Sequence, residues 1–276
     1  MTSTLPAHDT VSRVTELPPE LMRPLYTVTE ASRILRLPTA TLANWARGYD
    51  SFTSSGAHVV GAPLVTNFGR ARRHVPTLPF VGLAEAAFLT AVRSTGVPMQ
   101  RIRPALDRLK QEIGLEHALA SEMLFTDGAE LLINRPGSDD DARTLRNLVV
   151  ARNNQGVFVP VIEGFLRHIS YGPSGYAEAL ALQQYGNAGV TVDPSVAFGM
   201  PFLSSNGVQV DAILDRFDAG ESIGELADDF EVTRAVVESL IRLFTIEGVL
   251  SGPGVVGGGG RGPPGWKFLN SPSGRP

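Results

Sequence analysis

The chain has 276 residues, a formal net charge of −4, 43% hydrophobic and 19% charged residues, enough to bury a core as one large domain or two to three small ones. It contains no Cys, which excludes a disulfide framework, a Cys-ligated zinc or iron–sulfur site and a thiol nucleophile. No apolar run approaches the ~20 residues that span a bilayer, and the opening MTSTLPAHDTVSRV lacks a signal-peptide core, so a cytoplasmic protein without membrane contact is expected.

Residues 1–22 lack periodicity and read as a flexible arm ending in Leu17-Pro18-Pro19, a run that cannot enter a helix interior. The next unit, 23–113, starts at Tyr26. Thr27 and Glu30 have capping-box spacing, and Ala31, Ile34 and Leu35 give a short helix its buried stripe. Leu37-Pro38 breaks it. Thr39 then caps a second short helix over 40–47, with Leu42, Trp45 and Ala46 inward and Gly48 as its stop. Two short helices across a tight turn are a helix-turn-helix. The outward face of the second holds Ala40, Thr41, Asn44 and Arg47, which suits a major groove: Asn pairs with adenine, Arg with guanine or phosphate. An ordinary solvated polar face has the same pattern.

Val59 to Thr66 and Thr77 to Val81 read as β-runs flanking a Gly-containing turn that bears Arg70, Arg72 and Arg73, the composition of a basic β-wing or of a plain basic loop. Two helices follow. One covers 83–94, with Leu83, Ala86, Ala87 and Val92 at helical spacing. The other covers 98–113, with Ile102, Leu106, Leu109 and Ile113 on one stripe, and Gly96 separates them. From Arg23 to Lys110 there are 12 Lys+Arg against 4 Asp+Glu, a surplus of +8, the footprint of a polyanion-binding surface.

The middle, 114–189, reads as a small α+β layer for connection or dimerisation. Asp127-Gly128 between apolar runs is a hairpin signal. Leu145 to Val150 and Val157 to Val161 are candidate strands, and 158–168 is alternatively a helix with Ile162, Phe165, Leu166 and Ile169 aligned. The last ordered unit, 190–250, runs strand (Val190 to Asp193), apolar bend (Phe198 to Leu203), then three helices. The first is Val210 to Phe217, stopped at Ala219-Gly220. The second is opened by a Ser222/Glu225 capping box, and the third, Arg234 to Glu247, is capped by Thr233. Val236, Val237, Leu240, Ile241 and Phe244 line its apolar side. Here 3 Lys+Arg face 11 Asp+Glu, a deficit of −8. The turn Asp228-Asp229-Phe230-Glu231 would repel phosphate, which favours protein docking or dimerisation over DNA for this unit. Residues 251–276 hold 9 Gly and 5 Pro and read as a flexible tail.

The five His have no ligand spacing, and no Gly-rich nucleotide loop or nucleophile elbow is present. Gly257 to Gly260 opens no helix. Asp139 to Asp141 suits the negative first turn of a helix better than a cation site. No enzyme activity, metal or cofactor is expected.

The order YTVTEASRILRLPTATLANWARGY, wing, LAEAAFLTAVRSTGVPMQRIRPALDRLKQ resembles the MerR-like winged-helix DNA-binding domain. The resemblance places Thr39, Thr41, Asn44 and Arg47 on the recognition helix and Arg70, Arg72 and Arg73 on the wing. The chain departs from regulatory MerR proteins in lacking their long dimerising coiled coil and a Cys or His effector site. The phrase VTVDPSVAFGMPFLSSNGVQVDAILDRFDAGESIGELADDFEVTRAVVESLI is similar to a family of uncharacterised helix-turn-helix domains encoded beside PIN-domain toxins. Together these imply a VapBC-type antitoxin: a homodimer that binds its own double-stranded promoter DNA and sequesters a PIN-domain ribonuclease. In that setting Arg261, Trp266, Lys267 and Phe268 of the tail would contact the nuclease; alternatively the tail is only a linker. A stand-alone transcription regulator without a toxin is the alternative for the whole chain. The expected fold class is mainly α with small β elements.

Overall fold

A computed structural model of the chain describes residues 16–52, 56, 58–69, 75–94, 96, 99–124 and 164–250. They fall into two compact units: a front unit, up to Ala181 together with Asp193–Gly199, and a rear unit, Leu182–Val192 together with the residues from Met200 onward. Helices dominate, with short antiparallel strand pairs.

The front unit begins with a 3-10 turn at Pro19–Met22 and strand β1, Pro24–Tyr26. Helix α1, Val28–Ile34, is opened by the Thr27/Glu30 capping box with both reciprocal hydrogen bonds made. Helix α2, Thr39–Arg47, buries Leu42, Trp45 and Ala46, the side the spacing predicts. Each large side chain so buried contributes about 1.5–3 kcal/mol. Thr39 does not cap this helix. Pro38, its φ fixed by the ring, takes the cap position, and the Thr39 hydroxyl bonds that of Ser32 at 2.9 Å instead. Gly48 stops α2 at φ 73 and lies so close to β3 that a Cβ would sit 2.3 Å from the Gly61 carbonyl oxygen.

The strands do not pair as the sequence suggests. Strand β3, His58–Gly61, pairs with β2, Tyr49–Phe52. Strand β4, Leu78–Pro79, pairs with β1. Residues 62–66 join neither ladder because their polar groups are met elsewhere. The amides of Leu64 and Val65 donate to the Trp45 carbonyl, and the amide of Thr66 donates to Glu85. The carbonyls of Ala62 and Leu64 accept from Arg103 and Lys110. Phe80 and Val81, read as strand, open helix α3, Phe80–Ser94, which is buried on every side from Phe80 to Leu89. Helix α4, Met99–Ile113, lays Ile102, Leu106 and Ile113 inward. Buried Glu85 on α3 receives the Thr66 amide at 2.5 Å, and the Thr66 hydroxyl shares a hydrogen bond of 2.9 Å with Nδ1 of buried His117.

The expected Asp127-Gly128 hairpin and the candidate strands at 145–150 and 157–161 lie outside the described residues. The helix read over 158–168 is described only from 164. It ends in a turn at 167–168, and Ile169 belongs to strand β5, Ile169–Tyr171. This strand pairs with β6, Ala177–Ala181. Ser121 forms a bridge to Tyr176, and Glu122 N–H donates to the Gly175 carbonyl.

The segment Asp193–Gly199 packs with the front unit. The buried Tyr26 hydroxyl donates to the Gly199 carbonyl at 2.8 Å. Burial and the nearby Asp193 carboxylate push that hydroxyl's pKa well up. Ala197 and Phe198 take φ 51 and 56, a strain of about 1–3 kcal/mol each.

In the rear unit, β7, Val190–Val192, pairs with β8, Phe202–Leu203. Helix α5, Val210–Asp218, stops at Ala219-Gly220. Helix α6, Ile223–Asp229, carries the complete Ser222/Glu225 capping box. The Thr233 hydroxyl accepts from the Val236 amide at the start of α7, Arg234–Leu250. Val237 and Leu240 are fully buried, and the Phe244 ring lies 6.2 Å from that of Tyr185.

Candidate nucleic-acid interface

Because α2 buries one side against α1 and the loop after β3, its other side is fixed outward. Thr39, Ala40, Asn44 and Arg47 are exposed there. Thr41 is half-buried, and its hydroxyl accepts from Arg93 Nη1 at 2.9 Å, which leaves its own O–H to donate. Among the described residues, the side chains of Asn44 and Arg47 make no hydrogen bond or ion pair. The Asn44 amide therefore offers a donor and an acceptor side by side, as an adenine edge requires, and Arg47 offers a fork that fits guanine or phosphate. Ala40, four residues before Asn44 and seven before Arg47 on the same face, leaves room for a groove wall. Arg93 is the contributor that sequence reasoning missed. It reaches α2 from a helix 52 positions away, and nothing in local spacing signals that.

Arg70, Arg72 and Arg73 lie outside the described residues. The two chain ends that flank them are held firmly. Phe68 N–H donates to the Thr77 carbonyl at 2.8 Å, Thr77 N–H donates to the Tyr26 carbonyl at 2.9 Å, and Asn67 Nδ2 donates to the Gly69 carbonyl. Two front-unit cations are engaged within the protein. Arg103 lies 5.0 Å over the Tyr49 ring and donates to the Ala62 carbonyl, while Lys110 donates to the Leu64 carbonyl. These two brace the loop after β3.

The rear helix-turn-helix has the opposite surface. Asp228, Asp229 and Glu231 at its turn are exposed, and Glu231 takes φ 52. Arg216 is held by Glu221 and Asp229 and stacks 5.0 Å over the Phe230 ring. The hydrogen bonds to those two carboxylates raise its already high pKa. One of the three rear cations is thus neutralised in place. Arg234 and Arg242 are exposed. The tail residues Arg261, Trp266, Lys267 and Phe268 lie outside the described residues. Among the described residues no three His, Asp or Glu side chains gather as a metal site, and no helix is long and apolar enough to cross a membrane.

Residues 24–106 match a family described as "Putative DNA-binding HTH domain", and residues 190–242 match one described as "Protein of unknown function (DUF433)". The chain is 44% identical over 215 residues to "Putative antitoxin VapB45" of Mycobacterium tuberculosis, covering 76% of this chain and 89% of that protein. It is also similar to the X-ray crystal structure of Rv2018 from Mycobacterium tuberculosis, at 39% identity and a TM-score of 0.64, over 79% of this chain and 97% of that one.

Proposed function

The chain belongs to the same family as the VapB45 protein of Mycobacterium tuberculosis, and on that premise we propose that it is an antitoxin that represses its own promoter and neutralises a PIN-domain ribonuclease. The segment 23–113 acts as a MerR-like winged helix. Asn44 reads a base edge, Arg47 meets a base or a phosphate, and Arg70, Arg72 and Arg73 grip the backbone. Residues 114–189 connect and dimerise, so that two copies of α2 meet half-sites about one DNA turn apart. The acidic segment 190–250 and the tail, 251–276, hold the nuclease. The observation that carries the reading is the outward pair Asn44 and Arg47 on a helix whose other side is locked in the core.

The test is a titration of upstream DNA over a range of salt. Arg72→Ala with Arg73→Ala should weaken binding on every sequence and reduce the salt slope by about 0.9 per phosphate no longer neutralised. Asn44→Ala should relax discrimination at one base pair by about 1–3 kcal/mol. If neither change has an effect, the front unit is not the reader. For the second activity, the nuclease encoded in the adjacent reading frame should co-purify with the chain, and removing 255–276 should reduce inhibition of its RNase activity.

A further inference from the structure

Helix α2 presents its outward residues in a graded order. Thr41, Asn44 and Arg47 follow at three-residue spacing, so on a helix of about 3.6 residues per turn each lies roughly 60° around the axis from the one before. Asn44 is therefore central and exposed, with Thr41 on one flank and Arg47 on the other. A helix seated in a major groove has base edges ahead of it and a phosphate ridge along each flank. Arg47 carries a cation on one flank. On the opposite flank α2 offers only the Thr41 hydroxyl, and the cation comes from another helix: Arg93 of α3 donates to that hydroxyl at 2.9 Å.

Arg93 is fixed at its root and tethered at its tip. Its backbone lies in the last turn of α3, a helix buried from Phe80 to Leu89, and the neighbouring Val92 is fully buried. Its side chain is exposed but held through Nη1. A guanidinium has further N–H groups beyond the one so used, and the Thr41 oxygen, having accepted, still has its O–H to donate. Among the described residues neither those N–H groups nor that O–H meets an acceptor. Donors from two helices thus converge beside Asn44, and a long side chain that is already tethered loses less freedom when it binds. A cation in the last turn of a helix also suits the helix dipole, but that interaction does not require it to reach across to α2.

We propose that Arg93 and Thr41 clamp one backbone phosphate of the DNA next to the base that Asn44 reads; this rests on the DNA-binding reading above. The local charge selects the occupant. Helix α2 has no Asp or Glu, and the acidic residue of α3, Glu85, is buried and holds the Thr66 amide. An anion arriving at the clamp meets only cations and neutral donors on these two helices. A phosphate diester has oxygens for both a guanidinium fork and a hydroxyl. Such a contact fixes where the helix sits along the groove and has no base preference of its own.

The full-length chain is titrated with its upstream DNA and with unrelated duplex over a range of salt, alongside thermal midpoint and nuclease inhibition. Arg93→Ala should lower affinity for both duplexes by about 10-fold or more, the size of a lost charged hydrogen bond, and reduce the steepness of log affinity against log salt by about 0.9. Arg93→Lys should keep the slope and recover part of the affinity, because a point charge replaces a tethered fork. Thr41→Val, which keeps the shape and removes the hydroxyl, should lower affinity by a smaller factor without changing the slope. An unchanged slope in Arg93→Ala overturns the proposal even where affinity or midpoint falls, since bracing of α2 alone releases no counterion. A loss confined to one base pair also overturns it, by assigning Arg93 to a base edge, and a loss confined to nuclease inhibition does so by assigning Arg93 to a protein carboxylate. Failure of the unsubstituted chain to bind either duplex is a different result: it removes the DNA-binding reading itself, and this inference with it.

Discussion

The front and rear helix-turn-helix elements follow one plan at a constant spacing of 195 residues. Thr27 and Ser222 cap the first helix, and Glu30 and Glu225 close the capping boxes. Arg36 and Glu231 make the turn at φ 53 and 52, and Leu37 and Val232 follow with amides returned to Ser32 and Ala227. Leu42 and Val237, then Trp45 and Leu240, fill the core. The charges are inverted: Arg33 and Arg36 stand where the rear element has Asp228 and Glu231. Local caps, one left-handed residue and two buried side chains suffice to build the motif. What it can touch is decided by side chains that contribute little to building it. A helix-turn-helix is therefore not by itself a DNA reader.

The proposed division of labour is broken most severely from the core. Trp45→Ala should cost about 3–5 kcal/mol and Leu240→Ala about 2–5 kcal/mol, from lost burial plus the cavity. In denaturant melts paired with both binding assays, Trp45→Ala should end promoter binding, and Leu240→Ala should reduce nuclease inhibition while sparing promoter binding. Joint loss of both activities in Leu240→Ala would dissolve the distinction between the two elements. A smaller effect comes from exchanging the charges. Arg33→Asp with Arg36→Glu should lower promoter affinity and reduce the salt slope by up to about 0.9 for each phosphate left without its cation. Asp228→Arg with Glu231→Arg should give the rear element salt-dependent DNA affinity and weaken its hold on the nuclease. If the rear exchange produces no DNA affinity, something other than charge separates the two.

The parallel between the elements is also where the sequence is most legible. Both capping boxes, the glycine stops at Gly48 and Gly220, and the inward sets Leu42, Trp45, Ala46 and Val237, Leu240 follow from spacing within one or two turns. Pairing across distance does not. Tyr49–Phe52 carries Asp and Ser and shows no apolar run, yet it is the partner of His58–Gly61. Phe80 and Val81 look like strand because β-branched and aromatic residues favour it. They belong to a helix apolar on all sides, where amphipathic periodicity vanishes. Ala177–Ala181 has helical propensity but forms strand β6, because its residues Ala177 and Leu180 meet the core across a bulged register. In the candidate site, the outward positions of Asn44 and Arg47 follow from the α2 stripe. The Arg93–Thr41 contact, the loop-bracing Arg103 and Lys110, and the Glu85–Thr66–His117 network join residues 19 to 52 positions apart, and no local pattern encodes them. Phe198 reads simply as part of an apolar run, since a left-handed aromatic leaves no mark in composition.

The finest contrast is at the capping boxes. Thr27→Ala and Ser222→Ala each remove a side-chain acceptor from an N-terminal amide and should each cost about 1 kcal/mol within their own unit. Glu225 adds a pH dependence to the rear box. The Ser222 backbone amide donates to its carboxylate, with a further hydrogen-bonding contribution from the Ser222 side chain, and together they hold its pKa below the ordinary carboxylate value despite the opposing charge of Asp229. A carboxyl whose pKa is depressed by folding stabilises the folded state fully above its unfolded value, and that contribution is lost as pH falls through the folded value. Glu225→Gln keeps an acceptor at this position but removes the charge. Its thermal midpoint should therefore lie slightly below that of the unsubstituted chain at neutral pH, and the two curves should converge on acidification. Curves that stay parallel down to the most acid point would mean that the Ser222–Glu225 contact is geometric only.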